Sequence, residues 1–511
     1  KPDSANAIRI ELPDHPMLRN IENLSPEDLK KIQEFFFNPK KQPNQQIAET
    51  VRLRITIAPD AAPGDREIRL ISPGKVSNPL CFQVGSLKEI NETEPNNLEA
   101  PDSPAVELPV LFNGQIMPGD VDRFRFRARK GDKILMNTHA RKLVPFLADA
   151  VPGWFQAVTA LYDEKGRELA YADDYYNDPD PMLLYEIPVD GFYQFEIRDS
   201  VYRGREDFVY RVSMEKPSAG MSAVSTKSGA AALEFNEKEP NDQWDKASLM
   251  ELPQTVHGVI LTPEDTDKFK FMGKEGEEIV IEVKARRINS PLDALVRLTD
   301  SSGKVLEWND DFPARNTGLL THHADSRMQT KLPGDGQYGV QISDTQGHGG
   351  EAYVYSLYIG PKRPGFELYM TPSGAGITAG GRVPITVHAI RRDGFNGEIQ
   401  LSLEGDSRGF KLEGGVIPGG RDSIRLTLSA PMNMTGDLCD LRMTGMARIA
   451  GKIVEEPVIP AEDMMQAFSY RHLVCAKEFT AVFSGNRRSI PFEREGQVPV
   501  QIPAGGKARV Q

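Results

Sequence analysis

The chain has 511 residues, with 61 Lys and Arg against 73 Asp and Glu, a formal charge of −12. That excess of acid argues against nucleic acid or an anionic membrane as partner and suits hard cations. The length allows roughly three to four domains of ~100–200 residues, the 44 Gly and 38 Pro suit a turn-rich β protein, and the lack of any run of ~18 apolar residues argues against membrane insertion.

Residues 1–86 open with helix signals. Ser25 suits a cap, Pro26 the first helical position, and Glu27 and Asp28 the positive end. Leu29, Ile32, Phe35 and Phe36 form one apolar face and Asn38-Pro39 stops it, so a helix is predicted over 25–38. Val51, Leu53, Ile55 and Ile57 then alternate with polar residues, the period of a half-buried strand. Ile68 with Leu70, and Leu80, Phe82 and Val84, predict two more strands. The segment reads as an immunoglobulin-like sandwich lacking its first strands, with a helix in a connection.

A repeat follows. Asn91-Glu92-Thr93-Glu94-Pro95-Asn96-Asn97 returns as Asn236-Glu237-Lys238-Glu239-Pro240-Asn241-Asp242, 145 residues on. Asp120-Val121-Asp122 returns as Asp265-Thr266-Asp267, Asp190-Gly191 as Asp335-Gly336, and Tyr210 as Tyr355. Residues 87–216 and 234–361 are thus two copies of one unit, each with short strands separated by Gly, Asp and Asn turns. Residues 217–233, rich in Ser, Ala and Gly, read as a flexible linker. The first copy carries eight extra residues near 143–158, including Trp154; the second regains eight near 312–323, including His322 and His323. Residues 365–485 read as a further immunoglobulin-like sandwich with strands near 366–371, 383–390, 398–404, 423–429 and 438–449, and a short helical or irregular excursion at 461–472. Residues 486–511 read as a β tail or part of another module. The fold class is therefore all-β, four tandem sandwiches.

The duplicated acids carry the chemistry. In the extended Glu92-x-Glu94-Pro95-Asn96 segment, alternate side chains share one side. Asn97 adds an oxygen nearby, and Asp120 and Asp122 open the next strand. The second set is Glu237, Glu239, Asn241, Asp242, Asp265 and Asp267, with Glu264 an extra candidate. Six side-chain oxygens in irregular array suit calcium, which takes six to eight; zinc would need His or Cys. The plainer alternative is solvated turn residues. A second acidic pair, Asp173-Asp174 matched by Asp310-Asp311, reads as turn chemistry or a weaker cation site, a general acid and base being the alternative, with Asp178 and Asp180 after it in one copy and Asp325 in the other. Trp154 and Trp308 read first as core packing, with stacking on sugar rings as the alternative. No G-x-S-x-G, H-E-x-x-H, P-loop or Rossmann fingerprint occurs, so no catalytic residue is assigned. Cys81, Cys439 and Cys475 form no C-x-x-C and are expected as three reduced, buried thiols, a Cys439–Cys475 disulfide being the alternative. No signal peptide is visible, and Lys at position 1 suggests processing or trimming.

The Glu-Pro-Asn-Asn/Asp opening, the Gly-Asp-Val-Asp-Arg-Phe turn, the Asp-Asp after a strand and the closing Asp-Gly-x-Tyr resemble the bacterial pre-peptidase C-terminal domain family. The resemblance implies jelly-roll-like sandwiches, similar to collagen-binding domains of collagenases, with calcium held by the two acidic sets. Here Asn97 replaces an Asp and the later acids are spaced Asp-x-Asp, which puts Asp120 and Asp265 in more doubt than Asp122 and Asp267. The flanking sandwiches look like immunoglobulin-like modules of large extracytoplasmic bacterial proteins. The resulting expectation is a non-enzymatic extracytoplasmic protein binding a polysaccharide or an extracellular or envelope protein. A spacer in a surface layer or matrix and an accessory region of a secreted protease or hydrolase are the alternatives.

Overall fold

Alternation of apolar and polar residues dominates the chain, and strands follow from it. The computed structural model describes residues 25, 53–72, 75–94, 96, 104–145, 153–174, 179–216, 234–288, 290–312, 325–350, 352–405, 407–433, 438–465 and 471–483. Apart from the 3-10 turn Arg286–Ile288, every regular element among them is a strand. The helix expected over 25–38 and the linker 217–233 lie outside the described residues, as does the tail 486–511.

Of the strand expected over 51–57, residues 53–57 are described and form none: residues 53–58 have no regular structure, and Leu53, Ile55 and Ile57 are about half exposed. Alternation gives a strand only where a neighbouring strand takes up the backbone bonds, and none pairs here among the described residues. The strands that follow, Gly64–Ile68, Ile71–Ser72, Lys75–Val76 and Leu80–Val84, are short and leave Leu70, Ile71 and Leu80 exposed.

The described residues fall into two compact units, the first made mainly of those within 81–216 and the second of those within 67–80, 234–287 and 292–483. In the first, residues 89–215 form a sandwich. One sheet orders its strands Met182–Glu186, Lys133–His139, Val209–Glu215, Val110–Gln115 and Glu89–Asn91. The facing sheet runs Glu168–Ala172, Ala157–Asp163, Gly191–Asp199 and Val121–Ala128. Neighbours are antiparallel except Glu89–Asn91, which joins Val110–Gln115 in parallel. Phe112, Phe126, Phe195 and Tyr210 are fully buried between the sheets.

In the second unit, residues 234–360 repeat this plan. The strands Val121–Ala128 and Thr266–Gly273 share one burial pattern position by position, as do Lys133–His139 and Glu278–Lys284. Phe269, Phe271 and Tyr355 take the core places of Phe124, Phe126 and Tyr210. Residues 365–483 add a third core, around Phe366, Leu368, Val387, Ile399 and Leu428, between a large sheet and a three-stranded one. The excursion expected at 461–472 is a strand pair instead: Lys452–Met465 runs on to meet Arg471–Cys475, with Ala461 opposite Cys475. Ala, Glu, Met and Gln favour helix locally, but the edge of an existing sheet overrides them. None of the three cysteines is in a disulfide, and only Cys439 is buried; Cys81 is half-buried and Cys475 exposed, so the burial expected for all three thiols holds for one.

Candidate metal centre

Each cation candidate sits where the two sheets of a repeat meet. Glu92 follows the parallel strand Glu89–Asn91, and its backbone N–H donates to Asn113 O at 2.9 Å, which aims the side chain inward. Its Oε1 accepts the Gln115 N–H at 2.8 Å. Asp122 comes from the facing sheet, on the inward side of Val121–Ala128, and is fully buried. One oxygen from each of Glu92, Glu94 and Asp122 lies within 4.8 Å of the others. The Tyr210 hydroxyl bridges Asp122 Oδ2 at 2.6 Å and Glu92 Oε2 at 3.1 Å.

The second repeat reproduces this. Glu237, Glu239 and Asp267 gather within 4.8 Å. The Tyr355 hydroxyl reaches Asp267 Oδ2 at 2.6 Å and Glu237 Oε2 at 2.8 Å, and Val259 N–H donates to Glu237 Oε1 at 2.5 Å. Glu94 and Glu239 are fixed by the Asn96 and Asn241 N–H groups at 3.0 and 2.9 Å.

The electrostatics are severe. A phenol has one proton to give and faces two carboxyls. Burial pushes Asp122 up to about 9, helped by the neighbouring Glu92, and burial with the Glu237 charge does the same to Asp267. Glu94 and Glu239 are raised for the same reason, burial first and adjacent acids after it. The buried phenols of Tyr210 and Tyr355 are held well above their usual value by burial and by Asp122 and Asp267. Such a cluster requires protons or a cation. The oxygens fit a cation: Asp122 Oδ1, Asp267 Oδ1, Asn96 Oδ1 and Asn241 Oδ1 are buried with no hydrogen-bond partner among the described residues. All donors are oxygens, the chemistry of calcium rather than zinc.

The other expected ligands divide. Asp120 accepts N–H bonds from Met117 and Val121 at 3.3 and 3.0 Å, and Asp265 from Leu261 and Thr266 at 2.6 and 2.8 Å. Both shape the turn before the strand while lying close enough to act on the cluster: Asp120 helps raise Glu94, and Asp265 is itself raised by burial and by Asp242. Asp242 is exposed, 3.5 Å from the Thr266 N–H. Glu264 stands in a left-handed turn (φ 68°) where the first repeat has Gly119 (φ 80°). Asn97, Asp178, His322 and His323 lie outside the described residues.

The second acidic set has a structural core. Buried Asp180 accepts the Arg141 and Lys142 N–H groups at 2.6 and 2.9 Å. Asp325 accepts those of Ala285, Arg286 and Arg287 at 3.0, 2.7 and 3.3 Å. Asp173, Asp174 and Asp311 are exposed and Asp310 half-buried, so these pairs face water beside the edge strands. Trp154 is half-buried, its ring 5.1 Å from the Arg141 guanidinium. Trp308, by contrast, is 59% exposed, which sets aside core packing for it.

Two features of the site escaped notice as site residues. Tyr210 and Tyr355 obey the 145-residue offset, which was the signal available. Gly114 and Gly258 are 144 apart, outside that register. A Cβ on Gly114 would lie 2.2 Å from the Tyr210 hydroxyl and 2.3 Å from Glu92 Oε2; on Gly258 it would lie 2.3 and 2.4 Å from the corresponding Tyr355 and Glu237 atoms.

No protein-family model matches the chain. Over 108 residues it is 35% identical to a "Probable subtilase-type serine protease" of Deinococcus radiodurans, covering 20% of this chain and 14% of that protein. Structural neighbours include the pre-peptidase C-terminal domain of a Bacillus anthracis collagenase, 14% identical, with 24% of this chain and 99% of that domain covered at a TM-score of 0.18. The fibronectin(III)-like modules of Clostridium thermocellum CbhA are another, 11% identical, with 37% and 88% covered at a TM-score of 0.13. Among the described residues no helix is long and apolar enough to cross a membrane.

Proposed function

We propose that this chain is a non-enzymatic, extracytoplasmic binding protein whose repeated sandwiches are each stiffened by one calcium ion, and whose ligand is a polysaccharide or a protein. The observation that carries the reading is the duplicated cluster, with a fully buried carboxyl oxygen at Asp122 and again at Asp267 that has no hydrogen-bond partner among the described residues. Glu92, Glu94, Asn96 and Asp122 would hold one ion, and Glu237, Glu239, Asn241 and Asp267 the other. The role is structural because the central carboxyls have no access to a substrate. Extracellular modules work at weak calcium affinities, about 10⁻⁴–10⁻³ M, which an extracytoplasmic setting satisfies.

Isothermal titration calorimetry of chelated protein with calcium tests this. Two ions per chain are expected, falling to one in Glu94→Ala and in Glu239→Ala. No heat, or an unchanged stoichiometry in both variants, would remove calcium from the reading. A second reading, an accessory region of a secreted protease, draws on the partial likeness to the Deinococcus protein. It keeps the same non-catalytic role for these residues.

A further inference from the structure

Very little chain joins the second repeat to the sandwich that follows it. Strand Val354–Gly360 ends the repeat and Gly365–Thr371 opens the third core, with Pro361-Lys362-Arg363-Pro364 between them. Two prolines in four residues restrict that connection. Charged side chains then bridge it. Asp393 lies in the turn after the strand Arg382–Arg392, with Gly394 next; both have positive φ (51° and 80°), and the Phe395 N–H closes the turn on Arg392 O at 3.0 Å. An Asp-Gly pair suits such a turn. One Asp393 oxygen meets the Arg327 guanidinium of the second repeat, and the other accepts the Arg363 N–H at 2.5 Å. The Arg363 guanidinium is 3.5 Å from the Tyr358 ring centre and 3.5 Å from Glu282. Glu282 also takes Arg287 at 2.8 Å, and Arg287 takes Asp325 at 2.5 Å. The Asp393 and Arg327 side chains are only 9% and 14% exposed, which separates them from surface pairs that contribute little.

The first repeat serves as an internal control. Glu282 stands opposite Arg327 on one side and Tyr358 on the other. In the first repeat Asn137 stands in the same register, opposite Met182 and Ser213. All three pairs of positions are 145 residues apart. The sandwich itself therefore needs neither Arg327 nor Glu282 nor Tyr358. Asp180, by contrast, keeps the place of Asp325, because it closes the same turn in both copies. The acid that shapes the repeat is common to both copies. The charges that meet Asp393 occur in the copy with a further sandwich four residues beyond it. The first copy is followed instead by the Ser-, Ala- and Gly-rich residues 217–233.

We propose that this network locks the second repeat and the third sandwich into one body that opens and unfolds as a unit, with Asp393 as the bolt. Asp393 is what the third sandwich contributes. Its removal leaves the Arg327 guanidinium without that carboxylate in a nearly closed contact, and the Arg363 N–H without its acceptor, the kind of loss that costs most. Modules joined by a short, stiff connection and a desolvated ionic contact share their stability, whereas modules on a long polar linker do not. The inference concerns the junction and goes beyond the calcium reading, since none of its residues belongs to the acidic clusters.

The test is pulsed hydrogen exchange of the full chain across a urea transition, read peptide by peptide by mass spectrometry. Peptides from Gly336–Asp344 report the second repeat, and peptides from Arg382–Arg392 report the third sandwich. The parent should show one shared midpoint. Leu428→Ala, a cavity in the third core, should lower both midpoints together. In Asp393→Ala the two should part by about 1 M urea, the loss of a buried pair set against a typical m value. Adding Leu428→Ala to that variant should then move the third sandwich alone. Asp393→Asn keeps an acceptor for the Arg363 N–H without the charge, and should part the midpoints by less; it carries the test if Asp393→Ala does not fold. Separate midpoints in the parent, a Leu428→Ala effect confined to the third sandwich there, or midpoints that still move together in the Asp393 variants would overturn the proposal.

Discussion

Glycines 114 and 258 stand directly across the ladder from the site tyrosines, Gly114 opposite Tyr210 and Gly258 opposite Tyr355. A methyl group at either would press on the phenol and on a carboxylate that cannot retreat. Gly114→Ala should cost about 1–3 kcal/mol, the usual range for overpacking, and should also abolish the calcium response of its own repeat; denaturant unfolding with and without calcium reads both. Tyr210→Phe should weaken the chelated protein by about 1–3 kcal/mol, because buried Asp122 and half-buried Glu92 lose their shared donor. A smaller loss in calcium is expected, since the ion takes over the charge. His139 gives a pH dependence outside the metal centre. Burial, then nearby Lys142, depresses it from 6.5 to about 4. A base depressed on folding is protonated first in the unfolded chain, so its contribution is complete above about 6.5 and is lost as pH falls toward 4. Asp122 and Asp267, raised to about 9, have the opposite slope in that window, so the share of His139 is read as a difference: the parent midpoint should fall relative to that of His139→Gln as pH drops from about 6.5 to 4. An identical profile in the variant would sink the assignment.

At the scale of elements, Asp180 and Asp325 each close the turn after a long strand by accepting successive backbone N–H groups. Asp325 is also bonded to the Arg287 guanidinium at 2.5 Å. Asp325→Ala strands those donors and an arginine whose neighbour Glu282 remains, and should cost about 3–5 kcal/mol, in the range for breaking a buried pair; Asp325→Asn should recover part of it. Which strands were legible followed from what sets them. Phe124/Phe126 and Tyr193/Phe195/Ile197 alternate and are bounded by Gly and Asp turns, and both are strands with those residues inward. Residues 51–57 alternate equally well but have no paired neighbour among the described residues. Residues 461–465 carry helix formers and become strand because a partner strand follows. Local pattern specifies the pleat; the partner decides whether it forms.

For the whole molecule, the repeat was the most legible feature, because it places the same acids on the same strand positions twice. Two acidic sets read in sequence become two three-acid clusters in the structure, with Asp120 and Asp265 at their margin in turns. The site's depth was not legible: no linear pattern shows that Asp122 and Asp267 are sealed between sheets, each with one oxygen that has no partner among the described residues. A calcium ion held there would bind the folded state alone and would raise stability by mass action. The most direct measurement is thermal unfolding of the full chain in calcium and in chelator, for the parent protein, Glu94→Ala, Glu239→Ala and the double variant. The midpoint should rise with calcium in the parent, rise less in each single variant, and not move in the double variant. A parent midpoint indifferent to calcium would contradict the account and reduce both acidic clusters to protonated, structural carboxyl groups.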